Sequence, residues 1–219
     1  MKYYRGLHVR TTLEEICNPR CMALVVYDMQ VGVLDQIADA NRVTACVRAV
    51  LDAARSVGMR TFFTRHMTLP VEAMGASALR TAMAWQGVED VSEVVSMFPR
   101  DSASFQIAME VAPHANEVVL DKIAMSAFVG TPLDFALRDA DIEAFAIVGV
   151  ALEVGIEPTV RHALDLGYVP VVVVDGCGYG DRAAAQRTLE QLAFFGGTMQ
   201  TDAVSICNLL KRSQTPGPS

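Results

Sequence analysis

The chain has 219 residues, 52% hydrophobic and 20% charged, enough for one sizeable core; it reads as a single domain over residues 1–211 with a disordered tail at 212–219. A net charge of −7 and the lack of any basic stripe argue against a nucleic-acid partner, and the apolar runs fall well short of the ~20 residues a membrane span needs. The start, MKYYRGLHVR, has no apolar signal core and the five cysteines read as reduced thiols, so a cytoplasmic protein is expected.

In chain order, Thr12 with Glu15 looks like a capping box opening a short helical turn. Residues 22–27, MALVVY, form a buried strand by length and branched content, ending at Asp28-Met29-Gln30. A carboxylate directly after a core strand faces the crevice; it either caps the following turn, which spacing alone slightly favours, or serves as an acid or base. An amphipathic helix follows at 43–57, closed by Gly58, then a strand at 61–64 leading to Arg65 and His66. A single histidine here reads as a pocket or surface residue, since no Asp-x-His pattern offers metal ligands. Residues 67–101 are irregular apart from a helical piece at 76–85; the sole tryptophan, Trp85, is read as core packing, and such excursions commonly carry specificity. A strand at 117–120 leads to Lys122, solvated if alone and an ion pair if it meets Asp28. Thr131 is the expected N-cap, and Pro132 the first residue, of a helix through 138.

Residues 144–150 form an apolar strand, residues 154–166 a helix ended by Gly167, and residues 169–174 a second strand reaching Asp175. This is a right-handed βαβ unit in a parallel sheet, with the turn 149–155 at a carboxyl strand end, where open α/β sheets bind ligands. Residues 175–180 are expected as a loop that brings Cys177 to the crevice as a structural thiol, no histidine being placed to activate it. Asp181 caps a helix at 182–195, a strand follows at 198–201, and Thr201 or Asp202 opens a last helix through 210.

Three strand-end motifs, read together over residues 20–210, resemble the isochorismatase-like hydrolase superfamily, which includes nicotinamidases, carbamoylsarcosine amidohydrolases and isochorismatases. They are Asp28-Met29-Gln30 after the first strand; Lys122 with Ser126-Ala127-Phe128 and Thr131-Pro132; and the turn from Gly149-Val150-Ala151 through Thr159 to Gly167-Tyr168. The resemblance implies an α/β three-layer fold, a roughly six-stranded parallel sheet with helices on both faces. It implies Asp28 as acid or base beside Lys122, and a cis peptide between Val150 and Ala151 that turns backbone N–H groups inward as an oxyanion hole requires. Gln30, Phe128, Arg65 and His66 are the candidate substrate contacts. No cofactor or metal is expected, since Thr64-Arg65-His66 replaces the nicotinamidase Asp-x-His. The expected partners are a small-molecule substrate and further copies in a homodimer or homotetramer.

The departure lies at Gly155, where the amidohydrolases of this superfamily place a cysteine nucleophile. Glycine closes the thioester route. Isochorismatases also carry glycine there and cleave a vinyl ether, with Asp28 then protonating carbon; a neighbouring Lys122 ammonium opposes that protonation, and Asp28 acting as a base on water would suit a different hydrolysis. A dicarboxylate such as isochorismate needs cations, for which Arg65, Arg80, Arg100 and His66 are candidates. Two alternatives stay open: a member that binds a metabolite or partner without turnover, and an amidohydrolase whose cysteine has been exchanged for Gly155.

Overall fold

The computed structural model describes residues 2–213. It opens with an antiparallel hairpin, β1 (Lys2–Tyr4) and β2 (Leu7–Val9), and a short helix, α1 (Leu13–Ile16). Then follow β3 (Met22–Tyr27), α2 (Val31–Leu34), α3 (Ala40–Ser56), β4 (Arg60–His66), α4 (Ala76–Gln86), β5 (Val118–Lys122), α5 (Leu133–Asp139) and β6 (Ala144–Gly149). The chain closes with a single π-helical turn (Leu152–Ile156), α6 (Glu157–Asp165), β7 (Val169–Cys177), α7 (Arg182–Phe195), β8 (Met199–Thr201) and α8 (Ala203–Arg212).

The six strands β3 to β8 form one parallel sheet in the order β5-β4-β3-β6-β7-β8. The chain starts in the middle at β3, winds outward through β4 to β5, returns to β6 on the other side of β3, and winds outward again. The reversal lies between β3 and β6, so their carboxyl ends splay the loops apart and leave a crevice.

Alternation along β3 supplies both faces of the sheet. Met22, Leu24 and Val26 pack with Val43, Val47, Val50, Leu51 and Ala54 of α3 and with Ile206 and Leu210 of α8. Ala23, Val25 and Tyr27 pack with Leu133 and Leu137 of α5, Val160 and Ala163 of α6, and Leu192 of α7. Burying each such valine or leucine contributes about 2 kcal/mol. Among the described residues no helix is long and apolar enough to cross a membrane.

Several boundaries differ from expectation. The hairpin was not foreseen; its turn needs positive φ at Arg5 (49°) and Gly6 (83°), and arginine is not the Asn or Gly that marks such turns. Strand β4 continues through Arg65 and His66 by pairing with Asp121 and Lys122. Strand β7 runs to Cys177, correcting the expected loop: after a register shift Cys177 pairs with Gly149, and the Gly178 N–H donates to the Gly149 carbonyl at 2.9 Å. The helix expected at 154–166 is a π-turn followed by α6. Pro132 takes the cap position of α5, while the Thr131 hydroxyl accepts from the Leu133 N–H at 3.2 Å. Residue 212 belongs to α8, and the expected tail from 214 onward lies outside the described residues.

Candidate active site

Asp28 follows β3 with a left-handed φ of 46°. Its N–H donates to Thr64 Oγ1 at 3.1 Å, and the Thr64 hydroxyl donates back to Asp28 Oδ1 at 2.5 Å. Lys122, the last residue of β5, donates from Nζ to Asp28 Oδ2 at 2.7 Å. Both side chains are buried, Lys122 at 0% and Asp28 at 6% exposure, so each is the other's main substitute for lost hydration. Burial lowers the Lys122 pKa from the usual lysine range, against the opposing pull of Asp28. Asp28 therefore does not cap the next helix: Gln30 holds the cap position of α2, without a side-chain cap bond, and the carboxylate turns to Lys122.

The second element is the turn after β6. Gly149 has a φ of 127°, and a Cβ there would lie 2.8 Å from the Tyr27 backbone N and C and closer still to its carbonyl oxygen, so the close approach of β6 to β3 requires glycine. The Val150–Ala151 peptide is cis, as the resemblance implied. The Val150 N–H donates to the Tyr27 carbonyl at 3.0 Å, tying the turn to β3. In the π-turn the N–H groups of Val154, Gly155 and Ile156 all reach the Ala151 carbonyl, at 3.4, 3.0 and 3.2 Å. These three amides donate within the protein.

Between the two elements lies a cavity of about 270 Å³. Asp28, Tyr27 and Gly155 line it together with Val150, Ala151 and Val154 and with His66, Trp85 and Phe98. The His66 ring centroid is 6.2 Å from both Trp85 and Phe98. His66 is 7% exposed, its Nδ1 has no hydrogen-bond partner, and burial followed by the Lys122 charge lowers its pKa to about 4. It is a neutral imidazole at pH 7.

Of the expected substrate contacts, only His66 reaches the cavity. Arg65 and His66 are consecutive on β4, so the pleat sends them to opposite faces. Arg65 instead pairs with Asp121 at 2.8 Å and lies over the Phe105 ring. Gln30 is fully buried and structural: its amide donates to the carbonyls of His66 and Phe105 and accepts the His66 N–H. Phe128 sits in the core, stacked on Tyr168 with ring centroids 5.8 Å apart. Trp85, expected in the core, is 45% exposed at the cavity wall. Tyr27 and Phe98 were not expected there at all; for Tyr27 the available signal was its place immediately before Asp28. Cys177 is a buried structural thiol, its pKa raised by desolvation.

Among the described residues that line the cavity there is no lysine or arginine. Nor do the residues around His66 fit a metal: the Thr64 hydroxyl is committed to Asp28, and no cluster of three His, Cys, Asp or Glu exists among the described residues.

The isochorismatase domain profile matches residues 22–203. The chain is 27% identical over 208 residues to ureidoacrylate amidohydrolase RutB of Serratia proteamaculans, covering 88% of this chain and 84% of that protein. Its fold is shared with a cysteine hydrolase from Pseudomonas syringae pv. phaseolicola (TM-score 0.76, 20% identity, 90% and 95% of the two chains). It is also shared with N-carbamoylsarcosine amidase from Thermoplasma acidophilum (TM-score 0.66, 20% identity, 83% and 96%).

Proposed function

The chain belongs to the isochorismatase family of hydrolases, and we propose that it hydrolyses a small, neutral, planar metabolite by direct attack of water, with Asp28 as general base and Lys122 as its buried partner. The observation that carries this reading is the hydrogen bonding of Asp28. Thr64 accepts the Asp28 N–H and donates its own hydroxyl proton to Oδ1, and Lys122, which can only donate, bonds Oδ2. Both carboxylate oxygens are thus acceptors, which suits a group that takes a proton from water and not one that delivers a proton to a vinyl-ether carbon.

In the step so described, Asp28 removes one proton from water as the water oxygen bonds to the electrophilic carbon of the substrate. The bond from that carbon to the leaving group breaks, and the leaving atom receives the proton from Asp28. Lys122 stabilises the carboxylate at the start and at the end of the cycle. The amidohydrolase and amidase names of two relatives favour a carbon–nitrogen bond as the one cleaved.

The walls support the substrate class. Asp28 and Lys122 offset one another and His66 is uncharged at pH 7, so the cavity carries no cation for a dicarboxylate. Arg65, Arg80 and Arg100 lie off its walls. The aromatic group His66, Trp85 and Phe98 suits a planar ligand.

The test is turnover of a panel holding isochorismate, nicotinamide and N-carbamoyl compounds, with Asp28→Asn alongside. The expected result is cleavage of a neutral amide or ureide, reduced at least ~100-fold in Asp28→Asn. Pyruvate release from isochorismate would overturn the base assignment. Binding of panel compounds without any turnover would leave a binding-only site.

A further inference from the structure

Tyr27 is the last residue of β3 and lies on the sheet face that packs against α6. It is 1% exposed, yet its ring borders the cavity beside Asp28. Two contacts fix the ring. Its hydroxyl donates to the Met125 carbonyl, and the Lys122 ammonium stands 4.3 Å from the ring centroid. Burial, then the Asp28 charge, raises the Tyr27 pKa well above its ordinary value, so the group remains a neutral phenol.

Gly155 lies against this ring. A Cβ built there would come 2.6 Å from both Cε1 and Cζ of Tyr27 and would overlap Oη more closely. Real side chains do not approach so near, and an anchored ring has nowhere to swing. The glycine is not demanded by its backbone: it lies within the π-turn and is absent from the positive-φ residues, so any L-residue could adopt its conformation. The three atoms nearest to a side chain at 155 all belong to Tyr27.

We propose that Tyr27 determines the reaction type of this site: its phenol occupies the part of the cavity that a residue-155 side chain would fill, so the protein has no nucleophile to offer and the attacking group must be water. Tyr27 and Gly155 are then a matched native pair, and Gly155 is not a cysteine removed from an otherwise unchanged pocket. Loss of a cysteine side chain alone would leave empty space at 155; here that space is filled by a ring held from two sides. The inference deepens the water-attack reading, but its test needs no substrate and so can fail separately from that reading.

The experiment is a double-mutant cycle with a chemical readout. Gly155→Ala, Tyr27→Val, their combination, and Tyr27→Val/Gly155→Cys are compared by thermal unfolding and by native labelling with iodoacetamide, itself a small neutral amide. Gly155→Ala is expected to lower Tm by many degrees, Tyr27→Val to lower it through the space it opens, and the double variant to be more stable than the sum of the two losses allows. In Tyr27→Val/Gly155→Cys the introduced thiol is expected to take up one carbamidomethyl group at residue 155, located by peptide mass. Gly155→Cys with Tyr27 intact should unfold at lower temperature and, where folded, should label at least ~10-fold more slowly. Additive losses in the cycle, or a Gly155→Cys protein with wild-type Tm and a freely labelled thiol, would overturn the proposal. Should the Tyr27→Val variants not fold, Tyr27→Leu with Gly155→Ala repeats the cycle with a larger apolar replacement.

Discussion

Acidification should destabilise the protein through His66, and the size of the effect follows from its burial. The imidazole is 7% exposed, has no partner at Nδ1, and faces the Lys122 ammonium; the Asp28 carboxylate acts in the opposite sense but is outweighed. Its pKa falls from 6.5 to about 4 on folding. Between those values the unfolded chain binds a proton that the folded chain does not, so stability is complete above pH 6.5 and declines as pH drops toward 4. Linkage gives a loss of about 2 kcal/mol between pH 7 and pH 5, rising to about 3 kcal/mol below pH 4. The assay is urea unfolding at pH 7 and pH 5 for the wild type and His66→Leu. Every other group titrates in both proteins and cancels in the difference, so the wild type should lose about 2 kcal/mol more than the variant over this interval. Parallel pH dependences would refute the placement of a neutral, unpartnered imidazole at this wall.

Three further outcomes follow from the same geometry. Lys122→Met leaves the Asp28 charge buried without its ion partner and should cost about 3–5 kcal/mol, whereas Asp28→Asn/Lys122→Met, which removes both charges, should cost less than the two single losses together; equilibrium denaturation measures both. Thr64→Val removes the hydroxyl that accepts from the Asp28 N–H and donates to its carboxylate, and should destabilise by about 1–3 kcal/mol and slow turnover, read by denaturation and initial rates. Trp85 is the only tryptophan and borders the cavity, so its fluorescence should change on saturating addition of any panel substrate, and Trp85→Ala should raise KM more than it lowers Tm.

The parts of the site that lie along one strand and its following turn were legible in the sequence. An apolar run ending in Asp28, another ending before Lys122, and a third ending in Gly149 announce three carboxyl strand ends, and the parallel sheet gathers such ends at one edge. What stayed hidden depends on which face of the pleat a residue occupies. Arg65 and His66 are equivalent as letters after a short strand; only the two extra β4 residues and their pairing decide that His66 enters the cavity and Arg65 turns to Asp121. Gln30 and Phe128 stand inside recognisable motifs, yet one satisfies buried backbone groups and the other stacks in the core, so motif membership marked their importance without separating support from contact.

The same limit applies to Gly155, on which the proposed chemistry turns. Gly155 could be read from the sequence as a missing nucleophile, but not whether the space it leaves is empty or filled. That depends on Tyr27, whose side chain reaches the site because β3 alternates and α6 packs on its Tyr27 face. Two readings of one glycine, a vacated position and a position displaced by its neighbour, differ only in this contact across the sheet end. The contact favours displacement, and with it a site in which Asp28 and Lys122 retain a task that does not require a cysteine.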